Sequence, residues 1–493
     1  MRLRSLAQGG VLGFASLFVE KGATMALIVV LARMLGGVDY GRYSFVVAYL
    51  TIFQVLADFG VEPIALRRLC QEPERRADLM ANLLGLRLAL AGVAAILAIA
   101  TAPLFGAGQP GLGGLIALGT LGVLFPAQTG FRSLFRSALR LDEVLRVTLV
   151  ASLVMLALVA PVLWLGLGVG AVFLALAVAN AVGFLVAALL ARPLFRLRLA
   201  AELATWRAIL LEAWPIGANV LLVTITLRLG PILLMAFRGP EEVGYFASAS
   251  KLIEGVNLLS EATMLTLFPL LAAYAVSRPA DFRGLSSLTA RYLAVVVLVV
   301  VLVVGEVAPL VLSWIFRPEF ARAAPAMELL TWWSLFATLG LLYTNVLVAL
   351  GMQRTLLWLN CGTSLVLVAL EVPLVARFGM SGAAVAVVVA GAVGHAVLCV
   401  LPATAAWIRP CVRAALWPAA IALALRMVVA PWLPFGPILR AIVLAGGFAA
   451  VLLGSGLVGQ RDMRHLRGLM RDLDADAGAG GPARAPLGPI VIE

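Results

Sequence analysis

LARMLGGVDYGRYSFVVAYLTIFQVLADFGVEPIAL, Leu31 to Leu66, closes one apolar run and opens another. The first run begins near Gly10 and ends at Leu35; the second covers Arg42 to Leu66. Each exceeds the roughly 20 residues that a helix needs to cross a bilayer. A short turn, GGVDYG, separates them. The runs are too long, and alternate too little, to be barrel strands. The stretch therefore predicts two membrane-spanning helices in succession.

The same pattern repeats along the chain. Further spans are predicted at Asn82–Ala102, Gly114–Ala138, Val144–Leu165, Val169–Ala191, Ile209–Phe237, Gly244–Ala273, Leu288–Trp314 and Pro325–Leu350. Four more follow at Thr355–Ala376, Ser381–Trp407, Ala414–Ala430 and Ile438–Gly459. The fold class is thus an all-α integral membrane protein of about fourteen helices. Composition agrees: of 493 residues, 63% are hydrophobic and 13% charged, about half the charge of a soluble protein. The net charge of +12 flanks apolar runs instead of forming a basic face, which argues against nucleic acid as a partner. Arg2 and Arg4 precede the first run without a clear cleavage site, so that run is expected to stay as a spanning helix. The stretch 461–493, rich in Asp, Ala, Gly and Pro after Arg471, is expected to be a disordered cytoplasmic tail.

Arginine placement orients the chain. With the N-terminus in the cytoplasm, 24 arginines fall at inner loops and helix ends. Seven fall outside: Arg33, Arg42, Arg238, Arg317, Arg322, Arg377 and Arg440. That is the positive-inside bias, and an even helix number puts both ends in the cytoplasm of an inner membrane. A repeat reinforces the count. GGVDYGRYS (Gly36–Ser44) and GPEEVGYFA (Gly239–Ala247) lie 203 residues apart and align Gly41 with Gly244. Two six-helix lobes, 1–208 and 209–408, follow, with an extra helix pair at 409–460.

Enzyme signals are weak. GAGQPG (Gly106–Gly111) fits a dinucleotide pattern but has no preceding strand. The two histidines, His395 and His465, exclude HExxH. The cysteines Cys70, Cys361, Cys399 and Cys411 match no zinc spacing. No enzyme activity, metal or cofactor is expected. The sharper signal is ionisable residues inside spans, which must face a wet cavity or a partner. Helix 1 carries Glu20 and Lys21. Helix 2 places Gln54, Asp58 and Glu62 at spacings of four. Helix 7 carries Asn219, Thr224 and Arg228, and helix 8 carries Lys251, Glu254, Asn257 and Glu261. Asp58 and Glu261 are related by the same 203-residue offset. One reading is a cavity between helices 1, 2, 7 and 8 in which Lys21, Arg228 and Lys251 attract an anion, with Glu20 and Asn257 beside them. Asp58, Glu62, Glu254 and Glu261 are then candidates for ion coupling. The competing reading is internal pairing, for example Lys251 with Glu254. Glu306, Glu328, Glu371 and Arg426 are read as structural, and Arg132, Arg136 and Arg140 as interfacial anchors.

The opening stretch resembles polysaccharide flippases of the multidrug, oligosaccharidyl-lipid and polysaccharide exporter superfamily. The resemblance rests on LARMLG (Leu31–Gly36), DYGRYS (Asp39–Ser44), DFG (Asp58–Gly60), VGYFASASKL (Val243–Leu252) and PLL (Pro269–Leu271). It implies two lobes around a central cavity and alternating access for an undecaprenyl-linked oligosaccharide. It also implies anion contacts by Lys21 and Lys251 with support from Arg228, and polymerase or glycosyltransferase partners. Relatives often carry an acid two residues after the helix 7 arginine, where this chain has Gly230. A drug/cation antiporter of the same fold would favour an acid-dominated cavity. A lipid II flippase shares the helix number. A membrane glycosyltransferase or polymerase would need a large polar outer loop.

Reporter fusions test the topology. Fusions after Arg76, Arg140 and Arg198 are expected to read cytoplasmic, and one after Gln109 periplasmic. A periplasmic signal at Arg140 breaks the helix count.

Overall fold

A computed structural model describes residues 3–106, 109–124, 127–196, 198–277 and 279–457. Within these the chain is helical, with no strand. The helices are α1 (Leu3–Asp58), α2 (Val61–Gln71), α3 (Arg76–Thr101), α4 (Pro103–Gly106), α5 (Leu112–Val123), α6 (Ala127–Ser137), α7 (Leu141–Trp164) and α8 (Gly168–Ala191). They continue as α9 (Leu203–Phe237), α10 (Pro240–Ser277), α11 (Pro279–Ile315), α12 (Ala324–Ala349), α13 (Gln353–Val400), α14 (Pro402–Ala424) and α15 (Pro437–Gly454). The expected tail at 461–493 lies outside the described residues.

Ten of these segments are long and apolar enough to cross a membrane, and two are double. A continuous helix of the 56 residues in α1 would be about 84 Å long, far more than a bilayer of about 30 Å. It breaks at Gly36, whose φ of 75° and ψ of 179° are open to glycine and costly for other residues. The 48-residue α13 breaks in the same way at Gly379. α10 adds a further pass, long enough to cross and carrying Lys251, Glu254 and Glu261. With α5 and α6 as one interrupted pass, the described residues make fourteen passes, as expected. Exposed tryptophans mark three helix ends, Trp164, Trp314 and Trp432. Amphipathic rings favour that depth.

Three boundaries differ from the expectation. Predicted helix 2 does not run unbroken to Leu66. It stops at Asp58, and Phe59 and Gly60 take positive φ before α2 begins. Asp58 and Glu62 therefore do not share one helical face. Predicted helix 4 is split into α5 and α6. Predicted helix 12 ends at Val400 instead of Trp407. Leu401 is extended and Pro402 opens α14, because the proline nitrogen has no hydrogen to continue the ladder.

By internal contacts the chain divides into two compact units. One comprises Met1–Leu259, Val307–Ala337 and Gln353–Leu398. The other comprises Ser260–Glu306, Thr338–Met352 and the chain from Cys399 onward. In the first unit, Met80, Leu84, Phe131, Phe135, Ala187 and Ala191 knit α3, α6 and α8 together. Val61, Ile64, Leu69, Leu83, Ile209 and Ala213 join α2, α3 and α9. Gly60 lies so close to the backbone of Ala213 and Gly217 that any side chain would clash there. In the second unit the ring of Phe282 packs edge-on against Trp407, 5.6 Å between centroids.

The repeat has a direct structural consequence. Gly41 packs against the backbone of Pro240 and Gly244, and Gly244 packs against the backbone of Gly37 and Gly41. The aligned glycines of the two copies thus face each other across one helix crossing. A Cβ on Gly41 would overlap the Pro240 carbonyl, and backbone cannot step aside as a flexible side chain can. Gly41→Ala or Gly244→Ala is expected to lower stability by about 1–3 kcal/mol, the usual cost of overpacking. Thermal unfolding of purified protein in detergent reads this. An unchanged midpoint for both variants contradicts the crossing.

Candidate functional site

The acids of the first two passes already have partners. Glu20 on α1 faces Arg132 of α6 at 3.2 Å. Glu62 in the first turn of α2 faces Arg136, one turn further along α6, at 3.4 Å. Arg140 and Arg146 both pair with the buried Glu143. Arg132, Arg136 and Arg140, read from sequence as interfacial anchors, are therefore ion-pair partners. A carboxylate inside a membrane protein is most cheaply held by a cation within reach.

Asp58 shows the same logic at greater depth. The helix break at Phe59–Gly60 leaves Asp58 as the last residue of α1, where its carboxylate meets Arg87 of α3 at 2.6 Å. Arg87 is fully buried and is among the largest buried side chains. Sequence reading passed over it, although a lone arginine in an otherwise apolar span was the signal. Glu261, the repeat equivalent of Asp58, is exposed and pairs with no described residue.

Glu254 of α10 carries two cations. Lys251 Nζ lies 2.6 Å from its Oε2, one helical turn away, and Arg228 Nη1 of α9 lies 3.8 Å from its Oε1. The Arg228 Nε is buried without a hydrogen-bond partner among the described residues, as are the amide oxygens of Asn219 and Asn257. Lys21 is exposed and makes no ion pair among the described residues, because its neighbour Glu20 is engaged with Arg132. Of the predicted cavity cations, Arg228 and Lys251 thus share a single carboxylate. The structure brings Arg228, Lys251 and Glu254 together, and it sets Asp58, Glu62 and Glu20 against arginines of α3 and α6.

A cavity of about 180 Å³ lies between α1, α6, α7 and α8. Glu20, Thr24, Arg132, Thr148 and Asn180 give it polar walls. It holds one predicted site residue, Glu20, and is lined for the rest mainly from α6, α7 and α8. Gly230, where the family resemblance implies an acid, is not empty space: the Glu371 carboxylate of α13 would sit 2.8 Å from a Cβ there. Nearby, Thr226 donates to Ser364 at 2.9 Å. Among the described residues no cluster of His, Cys, Asp or Glu suits a metal ion.

A family described as polysaccharide biosynthesis protein matches residues 6–275. No curated protein matches the sequence. Among solved structures, the lipid II flippase MurJ in an inward closed conformation aligns with a TM-score of 0.71 at 13% identity, over 91% of this chain and 100% of that one. An inward-facing multidrug resistance MATE family transporter of the MOP superfamily aligns with 0.60 at 15% identity, over 78% and 96%. The MATE multidrug transporter DinF-BH aligns with 0.57 at 17% identity, over 80% and 94%. The fold is shared with these transporters.

The Asp58–Arg87 pair generates a stability prediction. Arg87→Ala removes one partner of a buried pair and is expected to cost about 3–5 kcal/mol. Replacing both, Arg87→Met with Asp58→Asn, is expected to recover most of that loss. Thermal unfolding of the single and double variants measures the coupling. Additive losses would mean that the two side chains do not interact.

Proposed function

We propose, because the chain belongs to the polysaccharide biosynthesis protein family, that it translocates an undecaprenyl-pyrophosphate-linked oligosaccharide across the inner membrane by alternating access. The chain is a multi-pass membrane protein with a transporter fold, and the reading needs no catalytic step. Lobes 1–208 and 209–408 would rock about a central cavity, with both termini in the cytoplasm. Exopolysaccharide or O-antigen synthesis would supply the substrate and draw off the product through polymerase or glycosyltransferase partners.

One observation carries the choice of an anionic substrate. Among the described residues, Lys21, Arg228 and Lys251 have only Glu254 among them, while Glu20, Asp58 and Glu62 are engaged by other arginines. A pyrophosphate or acidic sugar would complete that balance. A cation antiporter would call for the opposite surplus. Asp58 and Glu261 remain the candidates for ion coupling, Asp58 through its hold on Arg87.

A flipping assay with a lipid-linked oligosaccharide in proteoliposomes tests this. A charge-assisted hydrogen bond is worth about 1.5–3 kcal/mol, so Lys21→Ala or Lys251→Ala is expected to weaken substrate handling about ten- to a hundredfold at unchanged protein level. Lys251→Arg should keep part of the activity, since charge persists while geometry changes. If the lysines only balance acids, neutralising Lys251 and Glu254 together restores export. Near-normal export by both alanine variants overturns the reading.

A further inference from the structure

The second unit holds another carboxylate shared by two cations. Glu306 of α11 is almost fully buried. Arg426 donates from Nη1 to its Oε1 and from Nη2 to the Gly305 carbonyl at 2.7 Å. Arg440 approaches its other oxygen, Oε2, at 2.9 Å. From sequence, Glu306 and Arg426 looked isolated and Arg440 was simply an outer arginine. The fold gathers all three from α11, the end of α14 and the first turn of α15.

The cluster is built, not incidental. Arg426 sits on a π-helical turn, Leu425–Val429, where α14 gains a residue per turn. Such bulges re-aim a side chain, and they recur at functional sites. Gly305 lets the Arg426 guanidinium lie against α11, since a Cβ there would fall 2.9 Å from its Cζ. Arg440 is the group left over. Its acidic partner among the described residues is Glu306, whose other oxygen serves Arg426. Its Nε is buried with no hydrogen-bond partner among the described residues, while the side chain as a whole is one-third exposed. The helix ends that carry it also expose apolar side chains, Met427, Val428, Trp432, Ile438 and Ile442. In the charge-based topology this is the outer side of the membrane.

A cation with donors to spare, at the rim of a lipid-facing surface, is stable when an anion meets it there. We infer that Arg440, set by the Glu306–Arg426 pair, binds the phosphate of a lipid in the outer half of the bilayer. The shared chemistry is a lipid phosphate, whether from an ordinary anionic phospholipid or from the polyprenyl carrier. Arg440 is the binding residue, and Glu306 and Arg426 position it. The inference rests on the outer placement of these helix ends and not on the flippase reading.

Native mass spectrometry of the full-length protein, titrated with dioleoylphosphatidylglycerol, undecaprenyl phosphate or dioleoylglycerol, tests it. The undecaprenyl phosphate arm uses a Lys21→Ala, Lys251→Ala background, so that carrier held near those lysines is not counted. Both phosphate lipids, or undecaprenyl phosphate alone, should be retained by the protein, and dioleoylglycerol should not. Arg440→Gln is expected to weaken phosphate-lipid retention about ten- to a hundredfold. Its unfolding midpoint without lipid should change little, because Glu306 keeps Arg426. Retention of both lipids alike assigns the site to bulk phospholipid, and retention of undecaprenyl phosphate alone assigns it to the carrier. As a measurement free of any variant, whichever phosphate lipid is retained should raise the unfolding midpoint of the natural protein and dioleoylglycerol should not. Equal retention of phosphate lipids by Arg440→Gln and the natural protein overturns the inference, as does an equal thermal shift from dioleoylglycerol.

Discussion

An ion stripped of water inside a protein costs several kcal/mol unless a counter-ion meets it. That cost organises the charged interior of this chain. Glu20, Asp58 and Glu62 each take arginine partners, which ties α1 and α2 to α3 and α6, and Glu143 holds Arg140 and Arg146 at the start of α7. Once those acids are engaged, the cations that remain stand out. Lys21 has no acidic partner among the described residues, Arg228 and Lys251 divide Glu254, and Arg440 meets a Glu306 already held by Arg426. The surplus sites are defined by how completely the other acids are used.

Close backbone contact is the second constraint, and it falls at the repeat. Gly37 and Gly41 of one copy meet Pro240 and Gly244 of the other. Each copy is then fastened by an acid that reaches a helix break. Glu319 accepts from the Gly37 amide at 2.8 Å, beside the Gly36 break. Glu242 accepts from the Met380 amide at 2.9 Å, beside the Gly379 break. Amides freed where a helix is interrupted need acceptors when water is scarce. The acidic character of the repeat turns follows from that need, at least for Glu242.

Helix number was legible because it depends on long apolar runs, which one sequence displays directly. The glycine pair was legible as an alignment, though not as a contact. Pairing was harder to read. Glu20 with Arg132 and Glu62 with Arg136 join residues 112 and 74 positions apart, and no local period links them. Arg87 was missed because a single charge in an apolar run does not disturb a hydropathy reading. The i,i+4 series through Gln54, Asp58 and Glu62 misled for a specific reason. Phe59 adopts a positive φ of 43°, which a bulky residue rarely does, so only Gly60 warned of the break.

Gly230 illustrates how a missing group can be supplied from elsewhere. Helix 7 has glycine where the family resemblance implies an acid, which taken alone suggests that the space beside it is uncharged. Glu371 reaches that space from α13 instead, where it is buried. A carboxylate on both helices would bring two like charges close together in an apolar setting, where repulsion and desolvation would both oppose ionisation. The glycine and the glutamate are therefore one arrangement: the absence of a side chain at 230 is what makes room for the carboxyl at 371.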